Sequence, residues 1–362
     1  MARGGPLTGA PGRPVLLAVD GDSLLHRAYH SGGSDRDDEG RGLWALRGLV
    51  VSLAAAAARL RPDAVVVGFD SRTGRVRSQW WPDYKAQRPP RHPDLDEQLE
   101  RAPQLLASGG VPVVSHHGYE ADDVLASAAL AARAAGWATT LLTSDRDSFA
   151  LLAEDVSVLR LMDGGVNGAR LYTPGELRRR YGVDPGRYRD LAALRGDPSD
   201  NLPGVHGVGP KRAALLLGEF GSAHDVLQAA ADRPAHVEAL VGARVAERLA
   251  DPEAVTVLER NLRLMAMRED LAVPPVDDLR LPLLRTRLVG ALADCGIRLG
   301  PCLWALVGES EPSWPSAGVD LRAATDATLG RAALAPAVTV PAPARRSRTR
   351  AVEVDEDQLA LF

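Results

Sequence analysis

Three short, largely apolar runs in this chain each end in an aspartate. The runs cover residues 15–19, 65–69 and 140–144, and the acids that follow them are Asp20, Asp70 and Asp145. Short apolar runs separated by helical stretches are typical of parallel strands. In sheets of that kind, ligands bind outside the carboxyl ends of the strands. The pattern predicts an α/β fold in which the three aspartates meet at one edge of the sheet.

Further acids in the same part of the chain belong to this set. They are Glu120, Asp122 and Asp123 at the start of an Ala/Leu-rich helical segment, Asp147, and the later pair Asp197 and Asp200. Glu120 and Asp123 are three residues apart, so a helix places both on one side. So many carboxylates together repel one another, and hard cations with oxygen ligands relieve that repulsion. The acids predict a two-ion magnesium site that activates water against a phosphodiester.

Length and composition narrow the class of protein. The 362 residues suggest two domains with tails, and 45% apolar with 25% charged residues is an ordinary globular composition. Cys295 and Cys302 fit no zinc pattern. The first 14 residues lack the apolar segment of a signal peptide, and the most apolar stretch, 43–60, is interrupted by two arginines. We expect a cytoplasmic, nucleoid-associated protein with no membrane segment.

The pattern along the chain predicts four regions. Residues 1–14 are expected to be a disordered lead, 15–185 a doubly wound domain, 186–308 a mostly helical domain, and 309–362 a disordered tail. Within the first domain, strands are predicted over 15–20, 64–70, 111–115, 139–142 and 156–161, with a helix ending near Leu60.

A glycine-rich turn follows Asp200 directly. In the segment 204–211, Gly207 and Gly209 flank a valine and Lys211 follows two residues later. Glycines let a backbone approach a phosphate closely, and the amides of the next helix together with a lysine add positive charge. Such a hairpin holds a nucleic-acid backbone without reading its sequence.

The segment 71–101 combines basic and aromatic residues. It contains Arg72, Arg75, Arg77, Lys85, Arg88, Arg91 and Arg101, interleaved with Trp80, Trp81 and Tyr84. Cations for phosphates and rings for bases are typical of a path for single-stranded nucleic acid. Only two of the 43 basic residues are lysines, Lys85 and Lys211. These two positions favour a compact ammonium over a planar guanidinium.

These motifs together resemble the 5′ nuclease family, the 5′–3′ exonucleases and flap endonucleases related to the N-terminal domain of DNA polymerase I. The resemblance runs from about Val15 to Gly300. It rests on the segments 20–29, 69–70, 84–88, 118–123, 143–147 and 196–204. It implies a PIN-like, doubly wound, mostly parallel sheet with a helical arch formed by residues of about 71–105. A helical DNA-binding domain with a helix–hairpin–helix-like motif is implied to follow.

The resemblance also implies roles for individual residues. The implied metal ligands are Asp20, Asp70, Glu120, Asp122, Asp123, Asp145, Asp147 and Asp200, with Asp197 beside them. Arg77 and Lys85 match residues that contact the scissile phosphate. The DNA contacts are expected from Arg27, Tyr29, Arg88, Gly207, Gly209 and Lys211. The implied cofactors are two Mg²⁺ ions, which Mn²⁺ can replace, and a monovalent cation at the hairpin.

Two departures and one extra motif qualify the resemblance. Arg212 stands where the family commonly has threonine, and Asp22 adds a negative charge where a neutral residue is common. The last residues, with Gln358, Leu359, Leu361 and Phe362, are similar to the peptide by which bacterial replication proteins dock on the sliding clamp. The clamp is therefore an expected partner. With no polymerase domain after the nuclease motifs, a stand-alone nuclease is expected.

The sequence predicts a metal-dependent 5′–3′ exonuclease and 5′-flap endonuclease that acts on DNA in replication and repair. Its expected substrates are 5′ ends, flaps, nicks and RNA–DNA hybrids. Two alternatives remain open at this point. The first is a non-catalytic protein that binds DNA junctions, and the second is a ribonuclease of the related fold.

Overall fold

The computed structural model describes residues 12–312. Its central sheet has six strands in the order β3-β2-β1-β4-β5-β6. The strands are β1 (Val15–Asp20), β2 (Ala64–Phe69), β3 (Val113–Ser115), β4 (Ala138–Thr143), β5 (Val156–Met162) and β6 (Ala169–Tyr172). All neighbours run parallel except β5 and β6. The predicted mostly parallel, doubly wound α/β fold is confirmed.

Fourteen α-helices occur among the described residues. They are α1 (Gly21–His30), α2 (Trp44–Leu60), α3 (Val76–Trp80), α4 (Pro93–Ser108), α5 (Ala121–Ala134), α6 (Gly165–Gly168), α7 (Pro174–Tyr181), α8 (Pro185–Arg195), α9 (Pro210–Phe220), α10 (Ala223–Asp232), α11 (Pro234–Val241), α12 (Ala243–Ala250), α13 (Pro252–Leu264) and α14 (Arg285–Asp294). Short 3₁₀ helices cover Asp147–Leu151, Pro198–Asp200, Val276–Leu279 and Pro301–Leu303. In the part of the chain described, no helix is both long and apolar enough to cross a bilayer.

The central strands are buried on both faces, which explains their continuous apolar sequence. Leu17, Val19, Val65 and Val67 share one apolar cluster with residues of α1, α2, α4 and α14. The opposite face is covered by α5, which packs on β1, β2 and β4. The result is a sheet between two helical layers.

The chain reverses direction across the sheet between β1 and β4. It adds β2 and β3 on one side of β1, then returns through α5 and adds β4, β5 and β6 on the other side. The carboxyl ends of β1 and β4 therefore form the topological switch point, where α/β sheets bind ligands. Asp20 ends β1, and Asp145 follows β4 by two residues.

In the six-stranded sheet, the strand bounds agree with the sequence prediction to within two residues, and β6 is the one strand of that sheet that the sequence did not predict. It is four residues long and antiparallel, and its Arg170 and Leu171 are only half-buried. Downstream, helices α8 to α13 form the predicted helical region, interrupted by the two-residue strands β7 (Gly196–Asp197) and β8 (Leu202–Pro203). The described residues up to Glu311 belong to one compact unit.

Three predicted features lie wholly or largely outside the described residues. They are the disordered lead, most of the disordered tail, and the peptide with Gln358, Leu359, Leu361 and Phe362.

Candidate active site

Asp20, Asp22 and Asp70 meet where β1 and β2 end. Asp20 caps α1 by accepting from the Ser23 amide at 2.9 Å, and it also accepts from Thr143 Oγ1 at 2.8 Å. Asp22 accepts from the Asp70 amide at 2.7 Å. Burial, reinforced by the neighbouring acids, raises the pKa of Asp20 to about 8 and that of Asp22 to about 6. These carboxylates are thus held where negative charge is costly without a cation.

Asp122, Asp145 and Asp147 form a second group of acids, which interacts with Asp20. Asp122 Oδ1 is buried and has no hydrogen-bond partner. Burial raises the pKa of Asp122 well above its usual value, with Asp145, Asp20 and Asp147 adding to the effect. Burial likewise raises the pKa of Asp147, helped by Asp145 and by the acids of the 197–200 turn. Four predicted ligands, Asp20, Asp122, Asp145 and Asp147, therefore interact electrostatically at one edge of the sheet.

Glu120 and Asp200 are bridged by a tight turn that contains Tyr84 and Lys85. Lys85 Nζ lies 2.9 Å from Glu120 Oε1 and 3.8 Å from Asp200 Oδ2. The Tyr84 hydroxyl lies 3.1 Å from Glu120 Oε2 and 3.0 Å from Asp200 Oδ2. Burial and these two acids raise the pKa of Tyr84, so its hydroxyl stays protonated and donates to a carboxylate. The turn fastens the segment 71–105 to the rim of acids.

Lys85 carries its charge in a nearly buried position. Its side chain is 14% exposed, and its backbone has a φ of 57°. Burial lowers the pKa of Lys85, but the charges of Glu120 and Asp200 outweigh it and the net pKa is raised. Burial likewise opposes ionisation of Glu120, yet Lys85 and Arg77 lower the pKa of that acid overall. Both groups are therefore charged at neutral pH.

Arg77 and Asp123 form a buried pair. Arg77 donates two hydrogen bonds of 2.7 Å to the Asp123 carboxylate, and donates to the carbonyl oxygens of Leu264 at 2.8 Å and Ala266 at 2.9 Å. Asp123, which is 0% exposed, also accepts from the amides of Glu120 at 3.0 Å and Arg268 at 2.9 Å.

Protein groups already engage both residues of this pair. Arg77 was expected at the scissile phosphate, but its guanidinium is turned into the protein and its donors are used. Asp123 was expected at the metals, but both its oxygens accept hydrogen bonds from protein groups. The two residues instead join α3, the start of α5 and the chain after α13.

The chemistry of the acids suits a divalent cation, although their side chains are not gathered tightly around one point. Across residues 12–312, no three His, Cys, Asp or Glu side chains are gathered into a ready metal-binding group. The fit rests on Asp122, whose buried oxygen lacks a hydrogen-bond partner, and on burial together with repulsion from neighbouring acids, which raise the pKa of Asp20 and Asp147. Hard oxygen ligands of this kind suit Mg²⁺.

The glycine hairpin joins β8 to α9. Gly207 has a φ of 90°, a conformation that favours glycine. Gly209 is the N-cap of α9, and a Cβ built there meets nothing within 4 Å. Lys211 lies exposed in the first turn of α9. Arg212 donates to the Gly207 carbonyl at 2.8 Å, so the arginine at the departing position braces the hairpin.

The remaining predicted contacts lie at different places. Arg88 donates to Asp200 Oδ1 at 2.7 Å, beside the acids, while Asp197 caps the 3₁₀ turn at 198–200 by accepting from the Ser199 amide at 2.8 Å. Arg27 donates to the Met162 carbonyl at 2.6 Å. Tyr29 packs against Trp44 with ring centroids 5.2 Å apart. Arg27 and Tyr29 are thus engaged with β5 and α2.

The sequence missed one neutralising contact. Arg72 donates to Asp22 Oδ1 at 2.6 Å, so the extra acid that was expected to add charge near the metals is paired. Arg72 belongs to the basic segment at 71–101, but nothing in its spacing points to Asp22.

Comparison with known proteins identifies the family to which these motifs belong. Residues 15–182 match the model of the 5′–3′ exonuclease N-terminal, resolvase-like domain, and residues 183–285 match that of the 5′–3′ exonuclease C-terminal SAM fold. The chain is 34% identical over 298 residues to DNA polymerase I of Mycobacterium bovis, which is 78% of this chain and 32% of the polymerase. It is 41% identical over 220 residues to the thermostable DNA polymerase I of Thermus filiformis, 60% of this chain and 25% of that one.

The chain thus spans about a third or less of these two polymerases. Its fold is similar to that of the bacteriophage T5 flap endonuclease in a pseudo-enzyme-product complex with DNA and metal ions. The TM-score is 0.56 at 25% identity, with 78% of this chain and 93% of that chain covered.

Proposed function

This chain belongs to the 5′–3′ exonuclease family, and we propose on that premise that it is a divalent-metal-dependent 5′–3′ exonuclease and 5′-flap endonuclease of DNA. The observation that carries the proposal is the convergence of Asp20, Asp122, Asp145 and Asp147 at the switch point of the sheet. The similar T5 flap endonuclease, which binds DNA and metal ions, supports the same reaction class.

Two Mg²⁺ ions, replaceable by Mn²⁺, are the proposed cofactors. Their proposed ligands are Asp20, Asp70, Glu120, Asp122, Asp145, Asp147 and Asp200. Ions held there would lower the pKa of a bound water and stabilise the leaving oxygen of a phosphodiester. Asp197 orders the turn that carries Asp200. We leave Asp123 out of the ligand set because protein donors already occupy its oxygens.

Lys85 is the proposed cation for the scissile phosphate. Its ammonium is already placed between Glu120 and Asp200 at the acid rim, so no large rearrangement is needed to bring charge to that position. Arg88, which is bonded to Asp200 and half exposed, is the second cation of the same turn. Arg77 is proposed to position this segment through Asp123 rather than to touch the substrate.

The hairpin at 204–211 is the proposed grip on duplex DNA. The open space over Gly209 would let a phosphate reach the α9 amides, where the helix dipole favours an anion. Contacts of this kind recognise the shape of a junction rather than its sequence. Nicks, 5′ ends and RNA–DNA hybrids are included in the proposed substrates. The monovalent cation at the hairpin, clamp docking by the terminal peptide and action at the nucleoid also remain predictions.

The test is cleavage of a fluorescent 5′-flap DNA, with single-stranded and blunt duplex DNA for comparison, in magnesium and then in EDTA. We expect magnesium-dependent release of the flap near the junction. Asp122→Asn should abolish cleavage, whereas Asp155→Asn, at an acid paired with Arg133 outside the acid rim, should leave it intact. Tight flap binding without cleavage in magnesium or manganese would instead support the junction binder. Selective cleavage of RNA would support the ribonuclease.

A further inference from the structure

Trp80 is the one aromatic side chain among the large exposed apolar residues of the described chain. It is 46% exposed, at the C-terminal end of α3. The guanidinium of Arg263, from the last turn of α13, lies 4.2 Å from the centroid of its ring. Arginines also lie over Trp137 and Trp304, but those two rings are buried. Among the tryptophans of residues 12–312 that carry an arginine over the ring, Trp80 alone is exposed.

A second pair connects this surface to the hairpin. Arg260, one turn earlier in α13, lies 4.8 Å from the centroid of Trp81. The same guanidinium donates to the carbonyl oxygen of Pro203 at 2.7 Å. Pro203 is the residue directly before the hairpin 204–211. The surface formed by Trp80, Trp81, Arg260 and Arg263, here called the Trp/Arg surface, is therefore joined to the root of the proposed duplex grip.

The position of this surface is fixed by the buried pair described above. Arg77 belongs to the same short helix as Trp80, and it donates to the carbonyls of Leu264 and Ala266 just after Arg263. These bonds hold α3 against the end of α13. A ring held in place before binding loses little conformational entropy when a ligand stacks on it.

We propose that the Trp/Arg surface binds an unpaired nucleobase of the DNA substrate, stacked on Trp80. Every base has a π face that can stack on an aromatic ring, so the contact would be independent of sequence. The two arginines, Arg263 at Trp80 and Arg260 at Trp81, favour a polyanionic ligand, and the Arg263 guanidinium adds a cation–π contribution at the Trp80 ring. Tyr84 and Lys85, which contact the acids of the proposed active site, follow Trp80 by four and five residues. The Trp/Arg surface and the proposed active site therefore share one short segment of the chain. The inference rests on the proposed function.

The test is equilibrium binding in EDTA, which prevents cleavage, of a fluorescein-labelled duplex with a single-stranded 5′ overhang and of the matched blunt duplex. We expect Trp80→Ala to weaken overhang binding about tenfold, within the roughly 5- to 150-fold range that one stacked base supports. Blunt duplex binding should not change. Trp80→Phe keeps a ring and should restore most of the affinity. Leu284→Ala, at the 68% exposed Leu284, is the control for loss of exposed apolar surface.

The outcomes separate this inference from the proposed function. Equal effects of Trp80→Ala on both ligands, or no effect on either, would overturn the stacking role. A wild-type protein that binds neither DNA and also fails to cleave the 5′-flap DNA in magnesium would contradict the proposed function itself. Unfolding midpoints of the variants should match the wild type because the ring is exposed, and a large drop would instead assign Trp80 a structural role.

Discussion

The buried pair of Arg77 and Asp123 can be tested by removing one partner and then both. Arg77→Met keeps most of the side-chain volume but leaves the Asp123 carboxylate buried without its guanidinium. Breaking a buried, hydrogen-bonded ion pair in this way costs about 3–5 kcal/mol. We expect a loss of that size in the free energy of unfolding, measured by urea denaturation.

Removing both charges should be milder than removing one. In Arg77→Met/Asp123→Asn, no charge is left unpaired, and the asparagine oxygen can still accept from one of the Glu120 and Arg268 amides, which bond to different oxygens of the Asp123 carboxylate. We expect the double variant to recover about 2 kcal/mol relative to Arg77→Met, since neutral replacements of a buried pair are often tolerated.

A second pair, in which the arginine belongs to α5 and is exposed, supplies the control. Arg133 binds Asp155 with the same two-pronged geometry, at 2.6 and 2.7 Å, but the Arg133 side chain is 47% exposed. Arg133→Met should cost no more than about 1 kcal/mol because solvent screens the pair. Equal losses at Arg77 and Arg133 would refute the argument that burial, rather than geometry, makes the first pair important.

Metal binding gives the second readout. Titration of the metal-free protein with Mn²⁺, followed by calorimetry, should find affinity retained in the double variant, because Asp123 is bound to protein groups. If Asp123→Asn abolishes binding whether or not Arg77 is present, Asp123 is a ligand and its proposed positioning role is wrong.

Three further predictions follow from single side chains. Asp122→Asn should raise the thermal midpoint of the metal-free protein at pH 8, because burial and neighbouring acids raise the pKa of Asp122 and make its charge unfavourable. The same variant should lose its stabilisation by Mg²⁺, and thermal scans with and without the ion test both effects. Burial, followed by the charges of Arg91 and His30, lowers the pKa of His26 to about 4. The free energy of unfolding should therefore fall as the pH drops from about 6.5 to 4, and it should fall less in His26→Gln. Urea midpoints measured across that pH range test the direction of the change. Gly209→Ala should leave the free energy of unfolding unchanged within about 1 kcal/mol, since the added methyl meets open space, but weaken duplex binding measured by fluorescence anisotropy.

The sheet was predictable from the sequence because its buried strands are marked by continuous apolar runs. Residues 15–20 and 64–69 are unbroken runs of this kind, and the acids that end them reach the same edge. Strand β6 lacks the signal: it has four residues, and Arg160 opposite Arg170 gives its pairing a polar edge. Its place is set by tertiary pairing with β5, which no local pattern encodes.

The acids at the carboxyl edge of the sheet were predicted more completely than the hydrogen bonds that position the segments around them. The identity of the acids follows from their position after strands. The role of Arg77 does not, because its partner Leu264 lies 187 residues further along the chain. The basic segment and the family resemblance suggested a phosphate contact for Arg77, and the spacing from Glu120 together with the resemblance assigned Asp123 to the metals. Long-range hydrogen bonds decide between a substrate contact and a positioning contact, and a single sequence does not reveal them.

The structure gives a physical reason for a lysine at position 85 in a chain whose other basic residues are nearly all arginines. The residue has a left-handed backbone, and its ammonium must fit between Glu120 and Asp200, beside the Tyr84 hydroxyl that contacts the same two acids. A guanidinium at this position would be longer and planar, and would present its donors as a rigid fork to two acids that belong to separate elements. Arg88 serves the exposed side of the same turn, where an arginine has room to reach Asp200. The division between the two cations follows burial: a compact charge is used where the acids converge, and a planar one where the turn meets solvent.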